Sequence, residues 1–270
     1  LDYPVRLVEK TVPKIYVMHN PHLADPLDLN SGIKPSFKSI LRADLAENER
    51  IVSLTADQRD NILQYVPELA DKIVVIGHAV PAKEYVPRTE NPQKVVGIIG
   101  RITEQKNLSD AVKAFNLFRQ TYPDYRLDIY GKGDQEEELS DLIQQLDLGD
   151  SVRMLGYTDD VDAAYRSVDF TLNTSFYEGF PLAIIESIGN GTPVISYPVN
   201  FGPSSILDKN SGIISEKRTP RGLAEAMVVA VQNKMISKRV AESSKRFKVT
   251  DFYNKWISLL VDERYTNGKN

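Results

Sequence analysis

The chain of 270 residues contains no cysteine, which excludes disulfide bonds and zinc sites built from thiolates. It has no apolar run of about 18 residues, so the sequence predicts no membrane-spanning helix. Neither sign of charge is in clear excess, because 33 lysines and arginines stand against 37 aspartates and glutamates. The basic composition that would indicate nucleic-acid binding is therefore missing. Nothing in the sequence indicates secretion, and the expected location is the cytoplasm.

The sequence also lacks a complete Gly-x-Gly-x-x-Gly fingerprint, the pattern with which dinucleotide-binding folds hold a pyrophosphate. Gly131-Lys132-Gly133 supplies only the first two glycines, and Gly97-Ile98-Ile99-Gly100 lies within a predicted strand. The missing third glycine counts against a nucleotide-dependent oxidoreductase. That class stays an alternative, which absence of NAD binding would exclude.

What the chain does contain is an alternation of short apolar runs with helical segments. Val95–Ile99 is continuously apolar, which is typical of a strand buried on both faces of a parallel sheet. The alternation predicts an α/β fold with Rossmann-like parallel sheets. The predicted strands are Lys14–Met18, Arg50–Leu54, Lys72–Ile76, Lys94–Gly100, Tyr125–Gly131, Ser151–Leu155, Asp169–Asn173, Pro193–Tyr197 and Gly212–Ile214. The predicted helices are Ala56–Val66, Leu108–Thr121, Asp134–Leu146, Val161–Arg166, Pro181–Gly189, Pro220–Gln232, Ser237–Arg246 and Thr250–Asp262.

Composition changes along the chain predict a division into parts. The polar segment 81–93 contains three prolines and predicts a linker. Residues 94–235 hold enough strands and helices for a nearly complete domain. Residues 1–80 hold only three predicted strands and are expected to form a partial domain. Residues 236–270 predict C-terminal helices.

The most informative stretch places Glu178 and Glu186 eight positions apart around Pro181. Proline suits the first turn of a helix, so Glu178 is predicted to lie in the preceding loop and Glu186 inside the helix. Free N–H groups at the start of a helix bind phosphate well. The arrangement suits a ligand with hydroxyls at both ends and phosphates between them, such as a nucleotide-sugar. Two glutamates on a solvated helix face are the simpler alternative.

Cations and glycines follow other predicted strands. Arg101 and Lys106 come after Val95–Ile99, and Gly131 and Gly133 come after the next strand. Ligands in open α/β sheets bind outside the carboxyl ends of the strands, and these cations suit a diphosphate. Taken singly, each loop is also explained as a solvated basic loop or an ordinary tight turn.

The acidic pair Asp160-Val161-Asp162 resembles those that hold metal–nucleotide complexes. We interpret it instead as the start of a helix, with Asp159 or Asp160 as the cap and Asp162 in the first turn. A metal site would need further oxygen ligands nearby, so none is predicted.

Together the motifs resemble the retaining glycosyltransferases of family 4, which have the GT-B fold of two Rossmann-like domains facing across a cleft. The resemblance covers residues 94–232 and rests on Gly100-Arg101-(x4)-Lys106-Asn107, Tyr130-Gly131-x-Gly133, Gly156-Tyr157 and Glu178-Gly179-Phe180-Pro181-(x4)-Glu186. The segment Asn200-Phe201-Gly202-Pro203 is more particularly similar to the poly(glycerol-phosphate) α-glucosyltransferases, which modify wall teichoic acid. A related branch, the accessory-secretion GlcNAc transferases, attaches sugar to serine-rich adhesins.

The resemblance implies a role for each matching position. Arg101 and Lys106 would bind the donor diphosphate and stabilise it as it leaves. Glu178 would meet hydroxyls of the transferred sugar, and Glu186 would hold the ribose hydroxyls. Further donor-binding residues would be Gly100, Gly131, Gly133, Tyr157, Thr158, Gly179, Phe180, Pro181, Leu182 and Ala183.

The resemblance also explains the N-terminal part as the acceptor-side domain. Its first predicted strand would end at a histidine near the reacting sugar, with His19 as the first choice and His22 as the second. His78 would line the hinge between the domains. The last helix, which contains Trp256, would pack back onto the N-terminal part.

The resemblance implies a UDP-sugar-dependent transferase that lacks the first half of its N-terminal domain. It would move glucose or N-acetylglucosamine to a hydroxyl of an anionic polymer or a protein, with no metal or other cofactor. The 270-residue chain is expected to bind donor and to transfer sugar poorly. The alternative is a non-catalytic nucleotide-sugar-binding or interaction module. The choice of sugar and the oligomeric state stay open.

A basic cluster near the C terminus has two interpretations. It consists of Lys234, Lys238, Arg239, Lys245, Arg246 and Lys248. It could support weak peripheral association with the inner face of a membrane. A solvated helix face is favoured, because Glu242 interrupts the cluster and no apolar insertion stripe is evident in the sequence.

Overall fold

The computed structural model describes residues 13–42, 44–45, 49–81, 83–87 and 93–261. Residues 82 and 88–92 of the predicted linker and Asp262, the last residue of the predicted C-terminal helix, lie outside these ranges. The N-terminal part forms a parallel sheet in the order β1-β2-β3. Its strands are β1 (Lys14–Met18), β2 (Glu49–Ser53) and β3 (Ile73–Val75).

The C-terminal part forms a parallel six-stranded sheet in the order β6-β5-β4-β7-β8-β9. Its strands are β4 (Val95–Ile99), β5 (Arg126–Tyr130), β6 (Val152–Gly156), β7 (Phe170–Asn173), β8 (Val194–Ser196) and β9 (Gly212–Ile214). The α-helices in the described ranges are α1 (Ala56–Tyr65), α2 (Leu108–Phe118), α3 (Glu136–Gln145), α4 (Val161–Arg166), α5 (Leu182–Gly189), α6 (Pro203–Ile206), α7 (Pro220–Asn233), α8 (Ser237–Ser243) and α9 (Val249–Val261). The predicted α/β class with two parallel Rossmann-like sheets is confirmed.

Helix starts follow local capping chemistry. The Thr219 hydroxyl accepts a hydrogen bond from the Gly222 N–H, and Pro220 opens α7 directly after it. Thr55 caps α1 in the same way, through the Gln58 N–H. Both side chains satisfy a donor that the first helical turn leaves unpaired.

The prediction that α5 begins at Pro181 is wrong by one residue. Pro181 is extended, with ψ 101°, and α5 begins at Leu182. The predicted helix Ser237–Arg246 is also interrupted, because it divides into α8 and a 3-10 helix, Ser244–Arg246. The start of α5 and the start of α8 both lack a side-chain cap hydrogen bond. The sequence therefore gives a weaker signal for the bounds of these two helices than for those of α1 and α7.

Strand β4 lies at the centre of the larger sheet and is buried on both faces. Val96 and Ile98 belong to a core with Phe115 of α2 and Met227 of α7. On the opposite face, α5 packs with β8 and α8 in a second cluster. The continuous apolar run of β4 is explained by this burial, as the sequence predicted.

The chain passes between the two sheets twice, and the two crossings lie side by side. The Val80 N–H donates to the Phe247 carbonyl at 3.3 Å, and Val80 forms a parallel bridge with Lys248. Beyond this point α9 packs on the N-terminal sheet, where Trp256 and Leu259 contact the apolar cluster around Val52.

The two halves also touch through the loop after β8. The Asn200 amide donates to the Pro26 carbonyl at 2.7 Å, and the Ser204 hydroxyl donates to the Asp57 carboxylate at 3.2 Å. Phe201 packs against the ring of His22 at 5.7 Å between centroids. The loop after β8 therefore contacts the N-terminal half directly.

Helix α9 exposes an apolar stripe that the sequence analysis did not predict. Tyr253, Ile257, Leu260 and Val261 are each more than half exposed. The basic cluster just before α9 is therefore accompanied by exposed apolar side chains. The interpretation of the cluster as a solvated helix face rested partly on the lack of an apolar stripe, and that argument no longer holds. None of the helices in the described ranges combines the length and apolar composition needed to cross a bilayer.

Candidate functional site

A cavity lies at the carboxyl edge of the six-stranded sheet, where the sequence predicted a site. Gly100, Arg101 and Lys106 reach it from the loop after β4, while Thr174 and Ser175 reach it from the loop after β7. Ala183 and Ile184 close it from the start of α5. Parallel strands bring these loops together, although their residues are far apart in the chain.

The two cations at this edge have different surroundings. Arg101 is exposed, and its guanidinium forms no ion pair or hydrogen bond within the described part of the chain. Lys106 ends a short 3-10 helix, Glu104–Lys106, and Asn107 follows in the left-handed region with φ 49°. The Thr174 hydroxyl donates to the Lys106 carbonyl at 2.9 Å and so fixes this loop to the one after β7.

Lys106, which lines the cavity, forms a close ion pair with Glu178, which is not among the described residues that line it. The Lys106 Nζ lies 2.6 Å from Glu178 Oε1, and the Ser175 hydroxyl donates to the same oxygen at 2.6 Å. The Glu178 side chain is only 8% exposed. A buried carboxylate needs such partners, because its charge has lost most of its water. The structure thus joins two residues that the sequence analysis assigned to different parts of the donor.

Helix α5 presents its start to the same cavity. Within the described residues, the N–H groups of Leu182 and Ala183 donate no hydrogen bond. The positive end of the helix dipole adds to their affinity for an anion. Glu178 lies in the loop before α5, as predicted.

Glu186 lies on a different side of α5 from this cavity. The Tyr165 hydroxyl donates to Glu186 Oε2 at 3.4 Å, and Tyr165 itself lines the cavity. Glu186 also borders a second cavity of about 810 Å³ between the linker and the C-terminal helices. Glu186 does not itself line the first cavity but contacts Tyr165, which does. Tyr165 was not selected from the sequence.

The glycines after β5 are needed for loop packing, whatever ligand they meet. An added Cβ at Gly131 would lie 1.8 Å from the Gly100 carbonyl oxygen, and one at Gly133 would lie 1.9 Å from that of Ile102. Gly131 also has φ 147°, which favours glycine.

Tyr157 is 69% exposed. Among the described residues lining the cavity, Tyr157 and Thr158 are not found.

Gly131→Ala is expected to destabilise the chain by about 2 kcal/mol, because the new methyl group would push against backbone that cannot rotate away. The measurement is the free energy of unfolding in urea. Gly149→Ala is the matched control, since an added Cβ there meets nothing within 4 Å. Equal stability of the two variants would contradict the close approach of the loops after β4 and β5.

The N-terminal half contributes His19 to this region. His19 is exposed and stacks on His78, with ring centroids 5.5 Å apart and planes inclined by 12°. His78 in turn meets the edge of Phe180 at 5.8 Å. An added Cβ at Gly179 would lie 2.0 Å from the His19 carbonyl oxygen, so the turn after Glu178 sits directly against the end of β1.

His22, the second choice, is fully buried. Neither ring nitrogen has a hydrogen-bond partner among the described residues, and Tyr65 and Phe201 flank the ring. Burial lowers the pKa of His22 to about 4. His22 is therefore a neutral side chain within the contact between the halves, and of the two histidines only His19 is accessible.

The acidic pair before α4 has structural partners. Asp160 caps α4 by accepting from the Ala163 N–H at 2.8 Å, which confirms one of the two predicted caps. Asp162 pairs with Lys83 and accepts from the Asn190 amide at 2.9 Å. In the ranges that the structure describes, no three histidine or acidic side chains are grouped as a metal ion would require.

Solved structures share this architecture. A mutant of S. aureus TarM in complex with fondaparinux, α-GlcNAc-glycerol and UDP superimposes with a TM-score of 0.80 and 22% identity, over 94% of this chain and 52% of that one. The pneumococcal O-GlcNAc transferase GtfA in complex with UDP and GlcNAc superimposes with a TM-score of 0.73 and 20% identity, over 92% of this chain and 53% of that one. At this identity the likeness shows the GT-B fold.

Sequence relatives and a family model identify the family of this chain. The poly(glycerol-phosphate) alpha-glucosyltransferase of Bacillus subtilis is 32% identical over 159 residues, which are 58% of this chain and 23% of that protein. The poly(ribitol-phosphate) alpha-N-acetylglucosaminyltransferase of Staphylococcus aureus is 23% identical over 256 residues, 93% of this chain and 51% of that protein. The chain thus spans a quarter to a half of the length of these two relatives. Residues 82–247 match the family described as glycosyl transferases group 1, and the chain belongs to that family.

Proposed function

We propose that this chain carries the donor site of a retaining glycosyltransferase that moves glucose or N-acetylglucosamine from a UDP-sugar to an acceptor hydroxyl. The observation that carries the proposal is the ion pair between Lys106 and the buried Glu178 carboxylate, beside the exposed Arg101 guanidinium and the start of α5. Cations and helix N–H groups at one cavity, with a carboxylate paired to one of the cations, suit a ligand with both phosphates and sugar hydroxyls.

Relatives support this substrate class. The named activities of the B. subtilis and S. aureus relatives transfer glucose or N-acetylglucosamine to polyol-phosphate polymers. A relative in Streptococcus parasanguinis is named a UDP-N-acetylglucosamine–peptide transferase subunit. By this analogy the acceptor is an anionic wall polymer, such as teichoic acid, or a serine-rich surface protein.

Donor binding would exchange the partners of the ion pair. The diphosphate would draw Lys106 away from Glu178, and Arg101 would join it from the loop after β4. The N–H groups of Leu182 and Ala183 would meet the same phosphates. These groups oppose the phosphate charge, so the proposed mechanism uses no metal ion. Glu178 would then accept hydrogen bonds from the sugar hydroxyls.

The transfer step itself would take place on one face of the sugar. The acceptor oxygen would form its bond to the anomeric carbon as the bond from that carbon to the leaving phosphate oxygen breaks. The leaving phosphate would accept the proton of the acceptor hydroxyl, while Arg101 and Lys106 stabilise its charge. Glu178 would orient the sugar rather than attack it, so the two-carboxylate scheme of glycosidases is not needed.

A binding module without transfer is the second candidate. The described N-terminal residues form a sheet of only three strands, which supports donor binding by the larger sheet more directly than it supports an acceptor site. In that case the chain would recognise the nucleotide-sugar, and sugar transfer would be weak or absent.

Calorimetric titration with UDP, UDP-glucose, UDP-N-acetylglucosamine and NAD, without added metal, tests both candidates. We expect UDP to bind, one UDP-sugar to bind more tightly, and NAD not to bind. Arg101→Ala and Lys106→Ala should each weaken UDP binding about tenfold or more, through loss of a charged hydrogen bond. Lys113→Ala, at an exposed position on α2, is the matched control. No UDP binding by the chain or by a longer parent would refute the proposal.

Carboxylate variants separate the two ends of the donor in the same titration. Glu178→Gln should reduce the gain in affinity that the sugar provides and spare UDP. Glu186→Gln should weaken UDP and UDP-sugar alike, if the ribose reaches it beside Tyr165. Loss of UDP affinity of the same size in both variants would contradict these roles.

A further inference from the structure

Arg218 lies in the segment between β9 and α7 and reaches the loop that carries Glu178. Its Nη2 donates to the Phe176 carbonyl at 2.7 Å and to the Ser175 carbonyl at 3.3 Å. Its guanidinium carbon lies 5.3 Å from the centre of the Phe176 ring, a distance at which a cation is attracted to the ring face. One side chain therefore contacts two consecutive residues of this loop.

The partners of Arg218 are unusual for a half-buried arginine. No carboxylate of the described residues lies within ion-pair distance of it. Burial lowers the pKa of Arg218, whereas the carboxylates of Asp110 and Asp25 act to raise it. Its donors are thus directed at backbone oxygens, and a planar guanidinium is well suited to hold two carbonyls of one loop.

The same loop is held on its other side by the segment that carries Lys106. The Phe176 N–H donates to the Gln105 carbonyl at 2.8 Å, and the Gln105 amide donates to the Tyr177 carbonyl at 3.0 Å. These bonds connect the loop to the residue next to Lys106, so they share any movement of that segment. Arg218 comes from a different element and anchors the loop independently.

We propose that Arg218 is a positioning residue that keeps Glu178 at the cavity when the donor diphosphate draws Lys106 away. The inference rests on the proposed function, because it assigns the diphosphate to Lys106. Once Lys106 leaves, the Ser175 hydroxyl is the one remaining hydrogen-bond partner of the Glu178 carboxylate among the described residues, and it belongs to the same loop. The hydrogen bonds that Arg218 donates to the Ser175 and Phe176 carbonyls then hold the loop in place.

Hydrogen–deuterium exchange on the ligand-free chain tests the anchoring itself. In Arg218→Met, the Phe176 amide, which donates to the Gln105 carbonyl, should exchange about tenfold faster than in the wild type, because the loop opens locally. Arg218→Lys keeps the charge but not the planar fork, and it should give an intermediate rate. Arg221→Met, at an exposed position in the first turn of α7, is the control and should leave exchange of the Phe176 amide unchanged. Unchanged exchange in both Arg218 variants would overturn the proposal.

Titration with UDP and the preferred UDP-sugar tests the consequence for the donor. Both Arg218 variants should bind UDP within about twofold of the wild type but lose most of the affinity gained from the sugar. An equal loss for UDP and UDP-sugar, together with a lower melting temperature, would show a merely structural role and overturn the proposal. Failure of the wild type to bind UDP would instead count against the proposed function, and the exchange experiment would still decide whether Arg218 anchors the loop.

Discussion

Replacing Lys106 with methionine should destabilise the chain by about 3 kcal/mol, because it leaves the carboxylate of Glu178 buried without its cation. The Glu178 side chain is 8% exposed, and the Lys106 side chain is 22% exposed. The Ser175 hydroxyl would still donate to the carboxylate, but one neutral donor does not replace an ammonium group. The measurement is the free energy of unfolding in urea at about pH 7.5.

The double variant Lys106→Met/Glu178→Gln separates this effect from simple loss of contacts. Removing both charges should restore most of the stability, to within about 1 kcal/mol of the wild type. Lys94→Met is the control, because its ion pair with Asp124 is exposed on both sides and should contribute little to stability. If Lys106→Met is no worse than Lys94→Met, the pair is not buried as described.

The stability of the chain should also fall as the solution is acidified from about pH 6.5 towards pH 4, because His22 is held neutral. Burial lowers its pKa from 6.5 to about 4 in the folded chain. The unfolded chain therefore takes up a proton first, and folding loses stability as the pH falls between the two values. The difference corresponds to about 3 kcal/mol over the whole range.

His22→Leu isolates this contribution, because leucine has a similar size and no titrating group. Unfolding measured at about pH 7.5 and about pH 5 should show a smaller loss for the variant than for the wild type. Carboxylates and His78, whose pKa is lowered by burial and by the charge of His19, titrate in both proteins and cancel in the comparison. At neutral pH the variant should be at least as stable, because neither His22 nitrogen has a partner in the described structure. Parallel pH profiles would exclude His22 as the responsible group.

Local patterns were sufficient to predict the sheet and most helices. The continuous apolar run of β4 predicted burial on both faces, and a cap at Asp159 or Asp160 predicted the start of α4, where the structure shows Asp160. The start of α5 was missed by one residue, because Pro181 suits both the first helical turn and the extended residue before it. Pro181 is the residue before the first helical turn, and no side-chain cap hydrogen bond marks the start of α5.

The composition of the candidate site was predicted better than its contacts. Arg101 and Lys106 were selected from their position after a strand, and Glu178 from its position before the helix that follows Pro181. The structure brings Lys106 and Glu178 into contact across 72 residues of sequence. Tyr165 and Arg218 were missed, since a tyrosine inside a helix and an arginine after a short strand carry no local signal. Their roles depend on which loops the parallel sheet places beside one another.

The side-by-side crossings at Val80 and Phe247 limit how the two halves can move. A relative rotation whose axis runs through both crossings displaces each atom in proportion to its distance from that axis. Phe180 packs against Phe247 at 6.0 Å, and Phe247 accepts the hydrogen bond from Val80 at the crossing, so Phe180 lies near this axis. A rotation of this kind would leave the turn after Glu178 almost in place, and contacts between the halves such as Asn200–Pro26 would change according to their own distance from the axis. The two crossings thus act as a hinge beside the turn that follows Glu178.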